Sequence, residues 1–183
     1  MVTLTYADIM ALLKKNGLEP DKVEFEVVER LREKNLKVAT AESCTGGLIS
    51  ERITRVSGAS EVFDCGVCSY ANEIKEKLLG VRHDTLSILG AVSAETAIQM
   101  AEGVKKLSGA DITVSVTGIA GPSGGTSEKP VGLVFLGICS ETDAYAVKLL
   151  LGEDNERDYI RAMASTAALF IVLEEVHKYI VIS

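Results

Sequence analysis

The 183-residue chain is short of positive charge, with 19 lysines and arginines against 26 acidic residues and a formal net charge of −7. Together with a pI near 5.0, this argues against binding duplex nucleic acid or an anionic membrane, either of which needs a basic face to displace counterions. A small anionic ligand stays open, because it needs only a local pocket of N–H groups and one or two cations. No apolar run reaches the ~18 residues of a spanning helix, and the first eight residues have no basic segment followed by an apolar stretch. A soluble, cytoplasmic protein is expected. Repeats, linkers and low-complexity segments are missing too, and a chain that is 47% apolar suffices for one well-cored domain over residues 1–183.

Histidine is scarce. His83 and His177 are the only two, one in the loop-like Gly80-Val81-Arg82-His83-Asp84 and one near the end of the last helical stretch, so a Ser-His-Asp triad is unattractive. Four cysteines occur, at 44, 65, 68 and 139, and Cys65-Gly66-Val67-Cys68 has the spacing of a redox or half-zinc motif. No second pair completes it, and on a strand residues 65 and 68 face opposite ways. Buried, reduced, non-catalytic thiols are expected, with neither a metal nor a cofactor.

Hydrophobic periodicity supplies the architecture. Residues 36–41, 65–71 and 111–117 read as strands, and residues 131–140 and 144–151 as two more, turned into a hairpin at Glu141-Thr142-Asp143. Residues 5–34 look helical in two pieces divided near Asn16-Gly17-Leu18-Glu19-Pro20. Ser93 suits the N-cap of a helix ending near Leu107, and a strongly apolar last helix starts near Asn155 or Glu156 and runs toward His177. The alternation predicts an α/β fold: a three-layer α/β/α sandwich around a largely parallel, mixed sheet. Residues 1–20 are expected to add an N-terminal helix.

Two glycine clusters fall where strands end. Ala41-Glu42-Ser43-Cys44-Thr45-Gly46-Gly47 joins the first of these strands to a helix marked by Leu48, Ile49, Ile53 and Val56. Free N–H groups in its first turn attract an anion or a developing oxyanion, while Ser43 or Thr45 equally suits an N-cap. Gly118-Ile119-Ala120-Gly121-Pro122-Ser123-Gly124-Gly125-Thr126 follows the third strand and can form an anion-binding nest. It has neither the Gly-Lys-Ser/Thr ending of a Walker A loop nor the Gly-x-Gly-x-x-Gly spacing of a dinucleotide fold. Lys129, leaving that loop, can meet a phosphate as a point charge. Between the clusters, Ser69-Tyr70-Ala71-Asn72-Glu73-Ile74-Lys75 contributes Tyr70 and Lys75, residue types that replace histidine as a serine's base or proton shuttle. Lysine serves only if its amine is substantially neutral, which needs desolvation or a neighbouring cation.

These segments, with Gly90-Ala91-Val92-Ser93-Ala94-Glu95 and Glu128-Lys129-Pro130-Val131-Gly132, resemble in order the motifs of the CinA carboxyl-terminal domain family over residues 20–178. Its stand-alone members are nicotinamide-nucleotide amidohydrolases of the PncC type. The resemblance implies hydrolysis of nicotinamide mononucleotide to nicotinate mononucleotide and ammonia, in pyridine nucleotide salvage, by a domain that commonly forms homo-oligomers. Longer relatives carry an additional amino-terminal domain for which this chain has no room. By the same resemblance Ser43 is the nucleophile, Lys75 its base, and Tyr70 the bridge that helps move the proton. N–H groups near Thr45 and Gly46 would hold the oxyanion, and Gly47 and Asn72 would contact the substrate. The phosphate would lie on Gly118, Gly121, Gly124, Gly125 and Thr126, with Lys129. Two rival readings are a CinA-like nucleotide-binding or regulatory module without amidase activity, and a Cys44 thiol enzyme, which would have no histidine to activate it.

Overall fold

The computed structural model describes residues 1–179. Period-two alternation along the strands organises both layers that cover the sheet. In β4 (Ile112–Gly118), Ile112, Val114 and Val116 enter the larger apolar core. That core is closed by α1 (Tyr6–Lys15), α2 (Val23–Glu33), α3 (Leu48–Thr54) and the 22-residue α7 (Arg157–Lys178). On the opposite face of β4 the hydroxyls of Thr113, Ser115 and Thr117 donate to the carbonyls of Ala101, Ala97 and Ala91. These bonds draw α6 (Ala94–Ser108) close, and Gly137 of β5 (Leu133–Cys139) leaves it room. A Cβ at Gly137 would stand 2.1 Å from the Ala97 carbonyl oxygen. Two shorter helices, α4 (Asn72–Leu79) and α5 (His83–Ile88), pack beside α6.

The remaining strands are β1 (Val2–Thr5), β2 (Val38–Glu42), β3 (Phe63–Cys68) and β6 (Ala144–Leu150). The sheet order is β1-β6-β5-β4-β2-β3. β3, β2 and β4 are mutually parallel, β1 is parallel to β6, and β5 runs against both its neighbours. The expected α/β/α sandwich with a mixed sheet is therefore what forms. The hairpin is present too, with Cys139 opposite Ala144 and the Ser140 N–H bonded to the Asp143 carbonyl at 2.8 Å.

Two expectations need correction. Residues 1–20 were expected to add only a helix, yet β1 precedes it and pairs with β6 from Val2–Val147 to Thr5–Leu150. Four residues of Val, Thr and Leu are too short to signal a strand alone, and the free edge of β6 supplies the missing partners. Thr5 then ends the strand and starts α1 as a capping box, its N–H donating to the Asp8 carboxylate at 2.8 Å. The thiols also differ from a uniformly buried set. Cys44 and Cys139 are buried, but Cys65 is half-buried and Cys68 exposed, because β3 is an edge strand whose alternate residues face outward.

Candidate active site

The parallel strands β2, β3 and β4 end side by side, and the chain that leaves each of them meets at one cavity. Two ladder bonds carry the sheet's order past its strand ends. Ser43 N–H donates to the Val116 carbonyl at 3.0 Å, and Ser69 N–H to the Glu42 carbonyl at 2.8 Å. Ser43 leaves β2 and Ser69 leaves β3, so this backbone pairing fixes one relative to the other.

Lys75 reaches back from the first turn of α4 into this corner. Its side chain is 1% exposed. The amine lies 2.7 Å from the Ser69 carbonyl, 3.3 Å from the Tyr70 carbonyl and 3.1 Å from Ser43 Oγ. Two carbonyls accept two N–H bonds, and a neutral amine then has its lone pair left to accept the proton of Ser43. Burial lowers the pKa of Lys75 from the ordinary lysine value, with the nearby Cys44 and Cys68 thiols pulling weakly the other way. Contact with the serine and desolvation are the two conditions a lysine base requires.

The cavity at this corner has a volume of about 330 Å³. Ser43, Cys44, Tyr70 and Lys75 form one side, and Thr117, Gly118, Ile119, Ala120, Gly121, Ser123 and Gly124 another. Ala91 and Val92 and the guanidinium-bearing Arg157 complete it. Arg157 donates to the Gly121 carbonyl at 2.8 Å and to the Tyr70 hydroxyl at 3.1 Å. Tyr70 thus stands at the rim, 63% exposed, with its hydroxyl on Arg157. It does not bridge Ser43 and Lys75, which meet directly.

The glycine turn after Ser43 is organised by a residue to which the sequence had given no role. Glu42, the buried last residue of β2, accepts five hydrogen bonds. Thr45 Oγ1 donates at 2.6 Å, the N–H groups of Gly47, Ile49 and Ser50 at 3.0, 3.1 and 2.8 Å, and Ser50 Oγ at 2.7 Å. The start of α3 therefore already holds an anion. Gly46 and Gly47 serve the turn's shape, at φ of 63° and 99°, and Gly46 N–H donates to the Ser43 carbonyl. Neither they nor Thr45 line the cavity. The Cys44 N–H donates to no other residue among those described, so it is available to an incoming acceptor. The Cys44 thiol itself is pushed up to about 12 by burial, so it stays protonated and the thiol-enzyme reading loses its nucleophile.

The second glycine cluster divides. Gly118, Gly121 and Gly124 line the cavity, whereas Gly125 and Thr126 line a neighbouring depression that shares Ser123 and Gly124 with it. Thr126 closes a turn on Lys129, whose amine donates to the Leu89 carbonyl at 2.6 Å and is taken out of the cavity. Asn72, at the exposed start of α4, lies outside it as well. The cation that lines the cavity is Arg157, not the expected Lys129. A sequence signal for it existed: an arginine at the first position of a helix opposes the macrodipole and needs another reason to be there.

Fold and site together define an α/β protein with a serine and a buried lysine at the carboxyl ends of its parallel strands. The chain belongs to the CinA C-terminal domain family, whose model matches residues 20–176. It is 51% identical over 156 residues to a CinA-like protein of Kosmotoga olearia and 46% identical over 164 residues to one of Thermotoga maritima. Those matches cover 85% and 90% of this chain but 37% and 38% of the relatives, so the chain spans little more than a third of their length. Among solved structures it superposes with a TM-score of 0.83 on the competence/damage inducible protein CihA of Agrobacterium tumefaciens, at 39% identity. That match covers 87% of this chain and 96% of the other. A competence damage-inducible protein A of Klebsiella pneumoniae also gives 0.83, at 28% identity over 88% and 99% of the two chains. No helix among the described residues is long and apolar enough to cross a membrane.

Proposed function

We propose that the chain is a nicotinamide-nucleotide amidohydrolase, converting nicotinamide mononucleotide to nicotinate mononucleotide and ammonia. One observation carries the reading: a buried lysine amine, held by two carbonyls, 3.1 Å from a serine hydroxyl that opens on a cavity of about 330 Å³. A binding module gains nothing from burying an ionisable amine beside a hydroxyl, since desolvation makes that arrangement costly.

Lys75 Nζ takes the Ser43 proton as Oγ bonds to the carboxamide carbon, and the carbonyl oxygen becomes an oxyanion on the Cys44 N–H. A single such donor contributes roughly 2.7–4 kcal/mol in comparable acyl-transfer sites. Collapse breaks the C–N bond, and the Lys75 ammonium protonates the leaving nitrogen to ammonia. Water then attacks the acyl-serine ester as neutral Lys75 takes its proton, the ester C–O bond breaks with the Lys75 ammonium returning that proton to Ser43 Oγ, and the carboxylic acid leaves. Ala91, Val92 and Ile119 offer the apolar wall a pyridine ring needs, and Arg157 with the Gly121–Gly124 backbone receives the phosphate.

The test is ammonia release from nicotinamide mononucleotide. Ser43→Ala should abolish it to background, and wild-type-like turnover of that variant would remove the serine mechanism. Arg157→Gln should raise KM with kcat nearly unchanged, as loss of uniform binding does.

A further inference from the structure

Glu42 directly precedes Ser43, and its carboxylate touches both ends of the nucleophile turn. It accepts from Thr45 Oγ1 at 2.6 Å on the near side and from the Ser50 N–H at 2.8 Å on the far side. It also accepts from Gly47 N–H at 3.0 Å, across the two left-handed glycines. Such consecutive glycines are the most permissive backbone in the turn. Without an anchor the Ser43–Gly47 segment has many conformations of similar energy, and only some keep Oγ near Lys75.

We propose that Glu42 is the positioning residue of the serine and lysine pair. Its carboxylate locks the turn so that Ser43 Oγ stays within reach of the Lys75 amine and the Cys44 N–H stays unpaired. The same contacts fill the positive end of α3 with an internal anion. A substrate phosphate is thereby excluded from that end and directed to Arg157 and the Gly121–Gly124 backbone. This role rests on the serine-lysine reading of the site but not on the identity of the substrate. Glu42 touches no reacting atom, and its effect passes entirely through the geometry of Ser43.

The experiment measures the rate at which a fluorophosphonate probe labels Ser43, a reaction that needs an activated serine and no nicotinamide nucleotide. It is run on wild type, Glu42→Gln and Thr45→Val, all held well below their melting temperatures. Glu42→Gln keeps the side-chain volume and one acceptor oxygen but turns two N–H donors toward backbone N–H groups. It should label about 100-fold more slowly, the loss a displacement of roughly 1 Å can cause. Thr45→Val, which removes one donor and leaves the carboxylate in place, should label about 3- to 10-fold more slowly. The pH at which labelling rises, set by Lys75, should not move in either variant. Labelling within twofold of wild type in both, even with a lowered melting temperature, would show Glu42 to be a fold element only and overturn the proposal. A shifted pH midpoint with an unchanged plateau would overturn it too, by showing that Glu42 acts on the lysine's charge. If wild type is labelled but releases no ammonia from nicotinamide mononucleotide, the substrate assignment fails while the comparison among variants still decides the positioning role. No labelling of wild type would remove both the nucleophile and its positioning residue.

Discussion

Lys75 shows how much one side chain's surroundings decide. A lysine in water is an ammonium at neutral pH. Here burial lowers its pKa and two carbonyls accept two of its N–H groups, so that in the neutral form the lone pair faces Ser43. The sign of the pH dependence follows. With Lys75 as the proposed base the rate would depend on neutral amine, so kcat/KM should rise with pH through the lowered pKa and level off before the ordinary lysine range. The Lys75→Ala variant should lose this rising limb and about 10²- to 10⁴-fold in kcat. Stability follows the same titration: the unfolded chain binds the proton more tightly, so stability increases as pH climbs from the lowered pKa to the ordinary value. Below that window the cost of burying the ammonium is fully present. Denaturant midpoints across pH, compared between wild type and Lys75→Met, should show this slope in the wild type alone. A wild-type rate independent of pH up to the ordinary lysine range would contradict the lysine's role as base.

At the scale of elements, the site depends on how closely helices can approach one another and the sheet. α4 carries Lys75, and its last residue, Leu79, packs on Gly103 of α6. A Cβ at Gly103 would stand 2.0 Å from the Leu79 carbonyl oxygen, a clash with backbone that no rotamer relieves. Gly103→Ala must therefore push α4 away from α6. It should cost about 1–3 kcal/mol in unfolding free energy and lower kcat further than the stability loss explains, since Lys75 moves with its helix. Chemical denaturation read alongside ammonia release separates these two effects. An active, fully stable Gly103→Ala variant would show that α4 has slack.

The same scale explains what the sequence disclosed and what it concealed. Apolar strands such as residues 133–139, buried at every position, announce themselves by composition and were placed to within a few residues. Ser43, Tyr70 and Lys75 stood out in the sequence because they follow strand ends, where parallel sheets gather their loops; the structure brings Ser43 and Lys75 together and leaves Tyr70 at the rim on Arg157. β1 was not legible, because its four residues become a strand only against β6. Arg157 carried only the indirect signal of an arginine at a helix start, because its partner Tyr70 is 87 positions away and no local pattern encodes that meeting. Glu42 was read only as part of a motif. A carboxylate ending a strand looks solvated until the five donors that surround it are seen. Lys129 misled for the opposite reason, since a lysine beside a glycine loop looks free until the Leu89 carbonyl claims it.

For the molecule as a whole, one buried cluster ties together α2, α3 and α7. Arg52 of α3 donates to the Glu24 carboxylate of α2, to the hydroxyls of Ser165 and Thr166 on α7 at 2.9 and 2.8 Å, and to the Pro20 carbonyl at 2.6 Å. Glu24 is fully buried and Arg52 only 6% exposed. α3 continues the nucleophile turn, and α7 brings Arg157 to the cavity and sends Arg161 to the Thr45 carbonyl at 2.8 Å. Rigid placement of this one cluster therefore bears on both ends of the site. Removing one member of a buried pair strands the other's charge, whereas replacing both removes the desolvation cost along with the attraction. Arg52→Met should thus lower the unfolding free energy by about 3–5 kcal/mol, while Glu24→Leu combined with Arg52→Met should be distinctly less destabilised than the single variant. The half-exposed Arg55, 3.4 Å from the other Glu24 oxygen, is too solvated to compensate in the single variant. Urea denaturation of the two variants decides it. A double variant no more stable than Arg52→Met would mean that the cluster holds α2, α3 and α7 by hydrogen bonds to Ser165, Thr166 and Pro20 rather than by neutralising Glu24.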